Sequence, residues 1–171
     1  MIFASIVAVA VVYVFGIRRA KRYGRHVRLA TVIAFGLGLA VASVAFAKTI
    51  DELADASLAW HMAQHLALGF IVAPLLLLGA PVRLALAAFP RPAATWLARV
   101  LRSTAMRVLE NPAVAWLQFA AVLYVAHFSP LYEAALEHPA IHLLEHAIFL
   151  GSALVFWMPV LAVAPAPHAP A

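Results

Sequence analysis

His61 and His65 stand four residues apart, and so do His142 and His146. Neutral imidazole is the commonest protein ligand for copper, zinc, iron and nickel. Residues four apart on a helix share one face, separated by about 6 Å along the axis. If both stretches are helical, each presents a pair of imidazoles in one direction. His127 is a fifth candidate, and His138, just before Pro139, is a more solvated one. Met62 beside His61 adds a thioether that would suit Cu(I), but helical spacing turns it away from the two imidazoles and makes packing its more economical role. With no cysteine in the chain, a thiolate site is excluded, and any metal must be held by His, Met or carboxylate. His26 and His168, in a basic stretch and a terminal segment, carry no assignment.

The stretch His142-Leu143-Leu144-Glu145-His146 also reads H-x-x-E-H, a motif in which two His bind zinc and the Glu acts as a base. Five residues are a weak signal for proteolysis. Orienting a ligating imidazole from behind, or pairing with a partner, is the simpler role for Glu145.

The elements that position these residues must be membrane helices. The 171 residues are 66% hydrophobic and 11% charged, less than half the charged fraction of an ordinary soluble domain. The apolar residues fall into long blocks, giving about five expected spans at 1–17, 29–47, 58–80, 113–128 and 141–163. The expected fold is therefore all-α, a polytopic membrane helix bundle in a single transmembrane domain over 1–163. Residues 164–171 are a Pro/Ala-rich tail expected to be disordered. The first block is expected to be an uncleaved span, because Arg18, Arg19, Lys21 and Arg22 follow the apolar run rather than precede it. Gly36 and Gly38 suit a close helix approach, and Pro74 predicts a kink whose freed carbonyl a neighbour must satisfy.

Charge sets the expected orientation. Arg18 to Arg28, and Arg83 to Arg107, make two connections basic, whereas Asp51, Glu52 and Asp55 in one connection, and Glu133 and Glu137 in another, face no arginine. Lys and Arg are retained on the cytoplasmic side, so the N-terminus is expected outside and the C-terminus in the cytoplasm. Trp96, Leu97, Val100, Leu101 and Val108 recur at helical spacing among arginines and predict an amphipathic helix on the inner leaflet. The net charge of +5 is confined to these connections, which points to a lipid bilayer as the partner and away from nucleic acid. In this topology His61, His65, His127, His142 and His146 share one depth, just beneath the outer surface. Ionisable residues in spans are expensive and mark functional sites.

From Ser57 onward the sequence resembles the multi-spanning CtaG family of cytochrome c oxidase assembly factors. The resemblance is carried by Trp60-His61-Met62-Ala63-Gln64-His65, Val72-Ala73-Pro74-Leu75 and Leu78-Gly79-Ala80-Pro81. It continues through His127-Phe128-Ser129-Pro130-Leu131-Tyr132-Glu133, His142-Leu143-Leu144-Glu145-His146 and Phe156-Trp157-Met158-Pro159. Family members usually continue past Phe156-Trp157 into further spans, so the resemblance implies a chain shortened at its C-terminal end. It implies a role in maturing the terminal oxidase in the cell membrane, with an oxidase subunit or assembly intermediate as partner. The family's motif histidines fall on the same five positions.

The expected function is a non-enzymatic assembly factor that holds copper in the His layer. The alternative is a b-type haem carrier with one axial His from each pair. A conduction path is disfavoured, because Leu66 to Leu78 and Ala147 to Val155 are almost without polar side chains.

Overall fold

The structure is a computed structural model that describes residues 2–161; the tail at 164–171 lies outside the described residues. Every regular element among the described residues is a helix. In chain order these are α1 (Ile2–Arg22), α2 (Leu29–Ala45), α3 (Lys48–Ala56), α4 (Leu58–Ala67), a π-helical turn (Leu68–Val72), α5 (Ala73–Leu78), α6 (Pro81–Ala88), α7 (Arg91–Leu101), α8 (Thr104–Leu109), α9 (Pro112–Phe128), α10 (Pro130–Glu137) and α11 (Pro139–Val160).

Three stretches are long and apolar enough to cross a bilayer: Ile2–Arg22, Leu58–Ala87 and Ala140–Val160. Of the five expected spans, two are less complete. Helix α2 reaches the required length only together with α3, across a bend of 54°. Helix α9 is apolar but has 17 residues, about 26 Å at 1.5 Å per residue against ~30 Å of hydrocarbon. The outward faces are what a lipid solvent demands. On α1, Phe3, Val7, Val9, Val11, Val12 and Phe15 are all exposed, an arrangement that water would penalise.

Three expectations are corrected. The connection carrying Lys48, Asp51, Glu52 and Asp55 is the helix α3, packed on α4 and closed by a Lys48–Glu52 pair at 3.5 Å. The expected single amphipathic helix is broken in two. Helix α7 ends at Leu101, and Ser103 starts α8 by accepting a hydrogen bond from the Met106 amide at 3.2 Å, so Trp96 and Val108 lie on separate segments. Of the two glycines, only Gly38 makes a close approach: a Cβ there would meet Leu75 and Leu76 at 3.1–3.2 Å, while Gly36 has nothing within 4 Å.

Pro74 does disturb its helix, and the disturbance organises the core. In the π-helical turn the Ala73 amide bonds Leu68 O, five residues back. The same register would pair Gly69 O with the amide of residue 74, which proline lacks. Gly69 O instead accepts a hydrogen bond from Trp157 Nε1 at 2.8 Å, joining this turn to α11. The absence of a side chain at Gly69 lets the Phe149 ring approach, since a Cβ would lie 2.9 Å from its Cε1. Phe149 is fully buried with Leu68, Val72, Phe119 and Ala153 in the apolar core.

Polar side chains tie the remaining helices together, as they do where apolar contact gives no preference over lipid. Gln118 donates to Ser152 O at 2.8 Å, linking α9 to α11. Gln64 donates to Ala45 O at 2.7 Å and to Asp51 Oδ1 at 2.8 Å, binding α4 to the end of α2 and to α3. Tyr13 stacks on Phe35 with ring centroids 3.6 Å apart and donates to Gly79 O at 2.8 Å. That contact places α1 against the turn at Ala80, whose φ is 50°, and α6 continues alongside α1.

Candidate functional site

Helices α4, α9 and α11 bring His61, His65, His127, His142 and His146 into one layer at the end of the bundle that carries α3 and α10. The i,i+4 pairs are intact. Ring centroids are 4.5 Å apart for His61 and His65, and 4.4 Å for His142 and His146. Between helices, His61 lies 5.5 Å from His142 and 6.1 Å from His127, and His65 lies 5.2 Å from His127 and 5.0 Å from His146. The two faces thus meet, with His127 closing the third side.

The layer is dry. His61 and His65 are completely buried and His146 is 3% exposed. Phe149 forms its floor, stacking on His65 with centroids 4.9 Å apart, and Phe46 meets the edge of His146 at 5.4 Å. Both ring nitrogens of His65, and Nε2 of His142 and of His146, lack a hydrogen-bond partner. Buried polar atoms are almost always paired, and a metal ion among these rings would take up one lone pair from each. His127 Nδ1 is 2.8 Å from Leu123 O, and since a carbonyl only accepts, Nδ1 carries a proton in this contact.

Two sets of donor atoms come close enough to hold an ion. His61, His65 and His127 form one, and His61, His142 and Glu145 the other, each with its ligand atoms within 4.8 Å of one another. A single metal at about 2 Å from each nitrogen would bring them to roughly 3–4 Å, so a small closure of the rings completes either set. His146 lies beside both sets and belongs to neither. Met62 is half-buried on α4. His138 is exposed at the start of α11 and joins no such set among the described residues.

Glu145 lies on the same helix as His142 and His146. It is 3% exposed, yet neither carboxylate oxygen has a hydrogen-bond partner, whereas a carboxylate that orients an imidazole from behind would hold a ring N–H. Its oxygen lies within 4.8 Å of ligand nitrogens of His61 and His142. The signal was present in the spacing: Glu145 is three residues after His142 and shares its helix face.

An open cavity of about 470 Å³ leads from the surface to this layer, lined by Asp51 and Asp55 of α3 and by His142 and His146.

This arrangement coincides with a family relationship over nearly the whole chain. The family described as cytochrome c oxidase caa3 assembly factor matches residues 11–171. The chain belongs to this family. Among curated proteins, an uncharacterized protein of Mycobacterium bovis and one of Mycobacterium tuberculosis are each 29% identical over 175 residues. That covers 98% of this chain and 26% of each relative. An uncharacterized protein of Mycobacterium leprae is 25% identical over 178 residues, covering 98% of this chain and 27% of that protein. The chain therefore spans about a quarter of the length of the curated relatives it matches. No solved structure matches it. The family match contains the whole His layer and the Gly69–Trp157 contact beneath it.

Proposed function

We propose that this chain serves in cytochrome c oxidase assembly by holding copper in the His layer and passing it to an oxidase subunit or assembly intermediate. The observation that carries this reading is the group of buried His61 and His65 with half-buried His127, three imidazoles whose ligand atoms lie within 4.8 Å of one another. The family description supports the oxidase part of the reading, and the donor chemistry supports the copper part. An all-imidazole set suits copper, and no bond in a substrate need be broken. Ring separations of 5.0 to 6.4 Å between the two His pairs suit an ion between imidazoles and leave little depth for a porphyrin.

The basic ends of α1 and α7 are assigned to the cytoplasmic side, and α3 and α10 to the outside of the cell membrane. Copper then enters and leaves through the cavity beside Asp51 and Asp55. Beneath the layer, Leu68, Val72, Phe119 and Phe149 close the bundle, so the ion returns to the side from which it came. Metal analysis of the purified chain tests this reading: copper that co-purifies and is lost on removal of His61 and His65 supports it, and a strong Soret band in a reduced-minus-oxidised spectrum overturns it.

A further inference from the structure

The two donor sets share His61. A neutral imidazole has one nitrogen lone pair, so His61 can serve one position at a time. We propose that the layer holds two alternative positions for a single divalent ion, a deep one at His61, His65 and His127 and a shallow one at His61, His142 and Glu145, between which the ion moves by exchanging ligands around His61. This inference rests on the copper reading above and assigns the path within that site.

Depth follows from the helices. His65 is one turn further along α4 than His61, about 6 Å deeper. His142 is half-buried near the start of α11 and lines the open cavity, whereas His65 is completely buried and does not line it. An ion entering past Asp51 and Asp55 meets His142 first. Asp51 in the cavity lining already accepts from Gln64, so Asp55 is the lining carboxylate left to attract the ion, with the buried Glu145 beyond His142 as its next acidic partner.

The donor types divide the work. Two imidazoles and a carboxylate place one negative charge on the shallow position, which favours capture of a dication from water. Three imidazoles make the deep position neutral and softer. Glu145 in this role explains why a carboxylate is buried with neither oxygen hydrogen-bonded, an arrangement that is otherwise costly. In the passage inward, His142 and Glu145 release the ion, His65 and His127 gain it, and His61 is held throughout. No electron is transferred, and the ligand atoms alone change. His146, 4.4 Å from His142 and 5.0 Å from His65 by ring centroids, lies alongside the path.

The test uses the full chain in detergent, stripped of metal and loaded with one equivalent of Cu²⁺, read by electron paramagnetic resonance and by the rate of copper withdrawal by EDTA. Wild type is expected to show two overlapping signals, one of nitrogen donors alone and one of mixed nitrogen and oxygen donors. Glu145→Gln and His142→Ala should each lose the mixed signal, keep the other and release copper more slowly. His65→Ala should keep the mixed signal alone and release copper faster. If Glu145→Gln and His142→Ala both leave the spectrum and the release rate unchanged, the shallow position does not exist, while the copper reading stands. If the wild type takes up no Cu²⁺, the copper reading fails and the two positions fail with it.

Discussion

Trp157 Nε1 donates a hydrogen bond to Gly69 O at 2.8 Å, across 88 positions of sequence. It joins the turn disturbed by Pro74 to the helix that carries His142, Glu145 and His146, one helical turn below His65. Trp157→Phe keeps an aromatic ring, though a smaller one, and removes the donor, leaving an orphaned carbonyl in the bundle. The expected loss is about 1–2 kcal/mol of stability, the range for hydrogen bonds between membrane helices. Unfolding in detergent followed by circular dichroism measures it, and an unchanged midpoint would mean that another group satisfies Gly69.

Gly69→Ala tests the same contact from the other side. The new methyl would lie 2.9 Å from Phe149 Cε1, in a core where the ring is fully buried. Overpacking of this kind costs about 1–3 kcal/mol, and any shift of Phe149 tilts the His65 ring stacked on it at 4.9 Å. Gly69→Ala should therefore lower both stability and copper affinity. Gly36→Ala, with nothing within 4 Å, should lower neither. Thermal melts of the two variants beside copper titrations separate them.

The sidedness of the layer can be checked without a metal. Reporters fused after Lys21 or Arg99 should behave as cytoplasmic, and those after Asp55 or Glu137 as external, because the basic residues gather at the ends of α1 and α7. A cytoplasmic signal after Asp55 would place the His layer on the inner face and redirect copper delivery to that side.

The positions of the histidines were legible because helical spacing and apolar block lengths are enough to bring two i,i+4 pairs and His127 to one depth. What was missed depended on finer features. Lys48 to Ala56 looked like a charged connection, yet the Lys48–Glu52 spacing and the apolar Ile50, Leu53 and Ala54 are those of a short amphipathic helix. For Glu145, sequence spacing gives a face but no distance; packing of α11 against the π-helical turn that follows α4 brings its oxygen within 4.8 Å of a His61 nitrogen. Pro74 announced a kink, but the partner of the freed carbonyl, Trp157, is too distant in sequence to be named from the pattern.

His138→Ala separates the buried layer from histidine content in general. His138 is exposed and lies in neither donor set among the described residues, so its loss should leave copper content and affinity unchanged. A marked fall in copper would extend the site to the surface at the start of α11.

The most direct measurement is the copper content of the purified chain beside that of the His61→Ala/His65→Ala double variant, both confirmed to insert in the membrane. Insertion depends on apolar length and flanking charge, so the variant should be recovered in equal amount. The account predicts near-stoichiometric copper in the wild type and almost none in the variant. Equal copper in the two proteins, or none in either, would contradict it.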